Sequence, residues 1–400
     1  MEYYNVINPN YLSALNSHTI KYLLKVELMD YNENVLDEIT EDISQEDAGS
    51  ISINYQQGVR RSCSITLINT FKKYNPSPEN LIWCNTKFKI YTGISVYNNT
   101  TDEEDYYWFS QGVYILTNPN VLRSMSKKTI TLNGVDKFGI FGSETNFHEL
   151  DGTYLIPANT TLKNIVIDIL GLDMGNGNKL DPKFPKIDSY IGELHLPYEI
   201  KKSPESFFSE ILIELGNIFA CDIYYDGDGY LNFVKGNEYN FMDNESPLWH
   251  YTDAFSEYGD ANLELKFTEV YNVIKVIGNN PASKLYETVL KNTDPTSPTR
   301  VDLIGERSKY IESSFCYSQA RTDDFAKYLL KKYSIMQLAI SFSSAFIPHL
   351  DVNKAISIDD EYYNYKEQKF IIQGLTIPLS SNAQISVEAT NTANIPYFEY

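Results

Sequence analysis

The side chains that could do chemistry are few and poorly grouped. Phe147-His148-Glu149-Leu150 opens like a zinc-protease helix, in which a second histidine four residues on would face the same metal. That position holds Gly152, so no metal pair forms. His18, His195, His250 and His349 have no neighbour at ligand spacing. Asp226-Gly-Asp-Gly229 resembles part of a calcium loop, but Tyr224 and Lys235 stand where its anchoring carboxylates would be. Asp-Gly favours tight hairpins, so the segment reads as a turn. Residues 171–179 are glycine-rich without the Gly-Lys-Ser/Thr ending that cradles phosphate, and no Gly-x-Ser-x-Gly elbow occurs.

Carboxylates are dense at Asp102-Glu-Glu-Asp105 and Asp359-Asp-Glu361, and like-charge runs of this kind read as solvated loop faces. Sequons at Asn98, Asn99, Asn159 and Asn244 carry no meaning without a secretion signal. Cys63, Cys84, Cys221 and Cys316 form no Cys-x-x-Cys pair and read as buried small hydrophobes. Arg60-Arg61 precedes a strand; it reads as a strand-edge pair, with a salt bridge across an acidic subunit interface as the alternative. No residue stands out as catalytic, cofactor-binding or metal-ligating. No enzymatic activity is expected.

Elements that could position side chains are plentiful. The 400 residues exceed one ordinary core, which predicts two or three domains. Fifty-three acidic against 33 basic residues give a net charge of −20, which argues against generic binding to nucleic acid or anionic membranes. No apolar run reaches the roughly 20 residues that span a bilayer, and no signal peptide is visible, so a cytosolic start is expected. Thirty-two tyrosines suit strands and contact surfaces, since each joins an apolar ring to a polar tip.

Residues 21–136 read as successive short strands: Tyr22-Leu-Leu-Lys-Val-Glu-Leu-Met29, Ser50-Ile-Ser-Ile-Asn-Tyr55, Ser62-Cys-Ser-Ile-Thr-Leu-Ile-Asn69, Thr86-Lys-Phe-Lys-Ile-Tyr-Thr92, Gly112-Val-Tyr-Ile-Leu-Thr117 and Lys128-Thr-Ile-Thr-Leu-Asn133. Helices are expected over 161–170 and over 203–215, the second capped by Ser203 and ended by Gly216. A hairpin over 222–234 follows. Later come a strand over 271–278, a loop over 279–300, a helix over 318–333, and four strands over 338–342, 355–358, 370–377 and 383–389. The expected fold is mainly β with an α+β middle: a first tube-like antiparallel β-barrel at 1–145, the α+β region at 146–258, and a second tube-like barrel with one inserted helix at 259–400.

The two β regions resemble each other. Cys63-Ser-Ile-Thr-Leu, Phe88-Lys-Ile, Gly112-Val-Tyr-Ile-Leu-Thr-Asn-Pro and Thr129-Ile-Thr-Leu have counterparts in Leu338-Ala-Ile-Ser-Phe, Ala355-Ile-Ser-Ile, Phe370-Ile-Ile-Gln-Gly-Leu-Thr-Ile-Pro and Gln384-Ile-Ser-Val. The order agrees and the spacing differs, partly through an acidic insertion over 97–107. Two related barrels per chain are the expectation.

Tyr55-Gln-Gln-Gly-Val-Arg-Arg-Ser-Cys-Ser-Ile-Thr-Leu67, Phe88-Lys-Ile-Tyr-Thr-Gly93 and Gln111-Gly-Val-Tyr-Ile-Leu resemble the opening barrel of phage tail and baseplate hub proteins. The segments at 214–233, 271–278 and 370–379 resemble later parts of the same family, so the likeness covers nearly the whole chain. It implies a structural virion protein at the tail tip or baseplate, assembled in the host cytoplasm. A homotrimeric ring would adapt a sixfold tail tube to a threefold spike or tail-tip protein, with a tape-measure protein as a further partner. Three chains with two barrels each present six similar units. DNA would pass an acidic channel without specific binding. No cofactor is implied. A carbohydrate-binding or distal-tail β protein, or a tail-associated peptidoglycan hydrolase, is the alternative.

Overall fold

A computed structural model describes residues 11–12, 15, 21–98, 102–142, 153–235, 246–252, 258–278, 285–313, 315–380 and 384–392. The first third alternates apolar and polar residues and forms eight strands. They are β1 (Lys21–Met29), β2 (Val35–Glu38), β3 (Gly49–Asn54), β4 (Arg61–Ile68), β5 (Lys87–Asn98), β6 (Glu103–Leu116), β7 (Asn120–Arg123) and β8 (Lys128–Asp136). In β4 the alternation buries Cys63, Ile65 and Leu67 and exposes Ser62 and Ile68. The middle contains β9 (Tyr154–Ile156), α1 (Leu162–Leu170), β10 (Lys186–Ile187), α2 (Ser189–Gly192), β11 (Ile200–Lys202), α3 (Phe208–Ile218), β12 (Cys221–Tyr225) and β13 (Leu231–Lys235). The last part has β14 (His250–Tyr251), β15 (Tyr258–Leu265), β16 (Val273–Gly278), β17 (Glu287–Lys291), α4 (Val301–Ile304), β18 (Ser308–Ser313), α5 (Gln319–Tyr333), β19 (Leu338–Ser344), β20 (Ala355–Asp360), β21 (Tyr365–Pro378) and β22 (Ile385–Thr390).

Among the described residues fourteen strands share one sheet. Within it, the first part pairs in the order β3-β4-β8-β6-β5-β1 and the last part in the order β15-β19-β22-β21-β20-β14. Matched one to one, the two series also run in the same order along the chain. The pairing plan is written twice. The copies differ at their far ends: β1 lies antiparallel along β5 over nine residues, whereas β14 touches β20 in parallel over two.

Closed barrels were the expectation, but among the described residues neither series closes on itself. The reason lies in β3, which pairs β4 along one side and β21 along the other. A strand bonded on both sides makes the two series one ladder and lets them share one core. That core draws Ile51, Ile65, Phe88 and Leu132 from the first part and Ile340, Phe370, Ile377 and Val387 from the last. A second core fills the middle region, around Leu162, Ile165, Ile211, Leu215 and Phe233. A third, smaller one lies between α5 and the sheet β17-β16-β18.

Several local expectations shift. The helix predicted from Ser203 begins five residues later, because Ile200–Lys202 is committed to β9 and the Ser206 N–H donates to the Ser203 carbonyl in a turn. Gly216 does not end that helix. A Cβ there would lie 2.5 Å from Ile223 Cδ1, so its smallness serves close packing of α3 on the hairpin β12–β13. The acidic stretch over 97–107 lengthens the β5–β6 hairpin: its strands stay paired out to Asn98 and Glu103, whereas β20 and β21 end their pairing at Asp360 and Tyr365. The predicted loop over 279–300 contains β17, whose short alternation was masked by nearby prolines. Ser318 caps α5, accepting from the Arg321 N–H.

Gly49 opens β3 at φ +99°, and a Cβ there would sit 1.9 Å from the Ser64 carbonyl oxygen. Gly49→Ala is therefore expected to cost roughly 2–4 kcal/mol, combining forbidden backbone with a clash against an immovable strand. Urea denaturation checks this; an unchanged midpoint would mean that β3 is not held as described.

Candidate functional site

The site that organises this molecule is the seam between the two strand series. In it β3 and β21 run antiparallel with Ile51 opposite Ile377, Ile53 opposite Leu375 and Asn54 opposite Gly374. All four apolar side chains are buried. The Tyr55 N–H continues the contact by donating to the Gln373 carbonyl at 2.7 Å.

The chain then turns through 56–60 and enters β4 with Arg60 and Arg61, both buried. Arg60 Nη2 lies 2.5 Å from Asp222 Oδ1 in β12, and its guanidinium is sandwiched by the rings of Tyr55 and Tyr224 at 4.8 and 4.3 Å. Asn353 Nδ2 donates to the other Asp222 oxygen at 3.1 Å. Arg61 Nη2 lies 2.6 Å from Asp351 Oδ2, and its Nη1 donates to the Gln111 carbonyl at 3.2 Å. Beneath them, Asp136 accepts the backbone N–H groups of Arg60, Arg61 and Phe138 at 2.7, 2.8 and 3.0 Å. Burial pushes that carboxyl up to about 6 despite these donors. The arginines are thus neither an exposed strand-edge pair nor a bridge between subunits. They tie the first strand series to the middle region and to the second series within one chain.

A second buried cluster lies where the β1–β2 turn meets the middle region. Lys137 Nζ lies 2.5 Å from Glu33 Oε1 and 2.7 Å from Asp181 Oδ1, and Lys183 Nζ lies 2.6 Å from Glu33 Oε2. The Tyr225 hydroxyl donates to Asp181 Oδ2 at 2.6 Å. Burial works against the Glu33 charge, yet the three surrounding lysines outweigh it and hold the carboxyl below its ordinary value. Burial, with the Lys137 charge beside it, brings Lys87 down to about 8. Nothing in the local sequence marks this group, whose members are spread along the chain from Glu33 to Tyr225.

The residues singled out in the sequence fall apart in space. Asp226 makes the expected turn, its Oδ1 accepting from the N–H groups of Asp228 and Tyr230, and Lys186 pairs its other oxygen at 2.8 Å. Asp102, just before β6, accepts from the Tyr97 hydroxyl. Asp359 faces His250 Nε2 at 3.2 Å, whereas Asp360 is buried. Cys63, Cys221 and Cys316 are buried as expected, but Cys84 is exposed. His148 and Gly152 lie outside the described residues. Among the described residues no three His, Cys, Asp or Glu side chains gather as a metal site, and no helix is long and apolar enough to cross a membrane. A polar cleft of about 540 Å³ lies between the outer face of β15, β19 and β22 and the side chains of Lys309, Lys332 and Tyr333. Burial, with Lys309 nearby, lowers Lys332 to about 8.

No protein-family model matches the sequence, and no curated protein sequence matches it. Solved structures do. The tail protein from Neisseria meningitidis MC58 aligns over 94% of this chain and 97% of its own, with 11% identity and a TM-score of 0.59. The 43 kDa tail protein of prophage MuSo2 from Shewanella oneidensis aligns over 94% and 100%, with 11% identity and a TM-score of 0.57. Prophage tail protein gp18 from Listeria monocytogenes EGD-e aligns over 92% and 94%, with 11% identity and a TM-score of 0.53. The fold is that of phage tail proteins. The likeness extends over 92–94% of this chain in each case.

Two tests address the buried groups. Removing one partner of the Arg60–Asp222 pair leaves the other charge buried, so Arg60→Ala or Asp222→Ala should each cost about 3–5 kcal/mol, and Arg60→Met with Asp222→Leu should cost less than either single change. Denaturant melts of the three variants decide; a double variant weaker than both would contradict it. His349 tests acid sensitivity. Its Nε2–H donates to the Leu248 carbonyl at 3.2 Å, its Nδ1 accepts from the Tyr11 hydroxyl at 2.8 Å, and burial brings its pKa down from 6.5 to about 4. The unfolded chain therefore binds the extra proton in that window, and stability should fall as pH drops from 6.5 towards 4. Asp136 acts oppositely, because its raised pKa favours the folded state as pH falls through about 6. Stability measured across this range should fall less in His349→Gln than in the parent; equal slopes would remove His349 as the cause.

Proposed function

We propose that this chain is a structural protein of a phage tail tip or baseplate, the hub on which a tail tube ends. The doubled strand order within one chain supports this reading most directly, since three such chains offer six similar units. In this reading a homotrimeric ring adapts a sixfold tube to a threefold spike or tail-tip protein and leaves a channel for DNA. Tube protein, spike and tape-measure protein are its partners, and the virion is its location after assembly in the host cytoplasm. Its contribution is geometric and not enzymatic: the buried charge groups fix the angles between parts. The net charge of −20 suits a channel wall that repels phosphates and lets DNA pass unbound.

Light scattering on the purified chain, alone and with candidate tube and spike proteins, tests the ring. A species at three times the 45.9 kDa chain mass is expected, alone or once a partner is added. A hexamer would point to a tube or distal-tail role. A monomer under every condition would overturn the hub.

A further inference from the structure

The internal seam has an unfilled counterpart. In the doubled plan β15 takes the place of β3, and each lies beside the strand that equates β19 with β4. β3 is paired on both sides, whereas among the described residues β15 is paired by β19 alone. The other half of the seam is the end of β21, which runs along β22 with Thr376 opposite Ser386. Taking Ile130 and Leu132 as the counterparts of Ile385 and Val387 makes Thr131 the counterpart of Ser386, and Asn120 of β7 lies opposite Thr131. β7 thus occupies on β8 the place that the end of β21 occupies on β22. Its only partner strand among the described residues is β8. The same equivalence sets Cys63 with Ile340, two residues out of step with the sequence matching.

Burial separates the filled seam from the unfilled one. Ile51, Ile53, Leu375 and Ile377 are 0–3% exposed. Their counterparts are Leu263 and Leu265 on β15 and, for Ile377, Val121 on β7. Leu263 is half-buried, Leu265 is 46% exposed and Val121 is 46% exposed. Free edges normally carry proline, a bulge or an inward charge that discourages pairing. Asn120-Val-Leu-Arg123 has no proline, and Val121 and Leu122 are both exposed.

We propose that the free edge of β15 in one copy pairs antiparallel with β7 of the next copy, repeating between chains the β3–β21 seam within each. The register carries over: Leu263 faces Val121, as Ile51 faces Ile377, and Glu264 faces Asn120, as Ser52 faces Thr376. Asp260 and Glu264 then lie along the strand that ends in Arg123, so the charges are complementary. The Ala261 carbonyl already accepts the Tyr363 hydroxyl at 3.1 Å, so the ladder begins at Asn262. The contact joins two different edges and is head to tail, so repetition by a constant rotation closes a ring. The number of copies rests on the hub reading above; the pairing itself does not.

Disulfide trapping tests it. Asn120 and Glu264 are both exposed, so Asn120→Cys with Glu264→Cys, in a Cys84→Ser chain, should fold and place facing cysteines within disulfide reach. Oxidation, with and without tube protein, should give inter-chain disulfides that end at a closed trimer. Asn120→Cys with Asn262→Cys, out of register, should give at most a tenth of that yield. A trimer by light scattering with no in-register disulfide would overturn this seam and leave the hub standing. In-register disulfides without a trimer would support the seam and overturn the hub. Neither species would overturn both, and equal yields in and out of register would overturn the seam.

Discussion

A single strand that is hydrogen-bonded on both sides determines how the rest of the chain is arranged. Backbone N–H and C=O groups buried without partners are costly, so a strand inside a core must find a neighbour for each edge. β3 finds one locally in β4 and the other more than three hundred residues away in β21. With both edges taken, the apolar faces of the two strand series converge on one core. Gly49, which alone can take the backbone turn at the start of β3 beside the Ser64 carbonyl, sets where that strand begins.

The buried charges follow from the same strand. The turn that leaves β3 delivers Arg60 and Arg61 into the interior, where each needs a carboxylate. Their partners come from the middle region and from the loop after β19, so neutralising the two charges also fixes how three parts meet. Ion pairs of this kind contribute little net stability over an apolar contact, because desolvation offsets attraction. Their value is in discrimination: an alternative packing would strand a guanidinium without its partner. The Glu33 cluster, which ties the β1–β2 turn to the middle region through Lys137, Asp181 and Lys183, acts in the same way.

Local periodicity made the strands, α1, α5 and the β12–β13 hairpin legible, because each depends on residues within one short window. The doubled order was legible for the same reason, since both copies carry the pattern. Arg60 and Arg61 were misread because their partners, Asp222 and Asp351, are fixed only by long-range packing. The join at β3 was invisible for a related reason: Ile51 and Ile53 look like any alternating strand, and nothing in them specifies β21. β17 was missed because its five residues carry too little alternation to outweigh the prolines around it, and β18 because its six residues carry only a short alternation. The start of α3 was displaced because Ser203 and Pro204, good helix openers in isolation, are used in a turn after β11.

The sheet β17-β16-β18 with α5 enters the second series between β15 and β19, where the first series has only the short turn from β3 to β4. Its two ends are clasped together: the Lys266 N–H donates to the Gln337 carbonyl at 3.0 Å and the Tyr271 N–H to the Tyr333 carbonyl at 2.9 Å. A segment that leaves and returns at one point can lengthen, shrink or be exchanged at little cost in loop closure. The ladder beneath would not register the change. One copy of the duplicated plan is thus left bare and the other is open to diversification, so a protein whose interior is held to fixed geometry retains one place where new surface can be acquired without altering the frame.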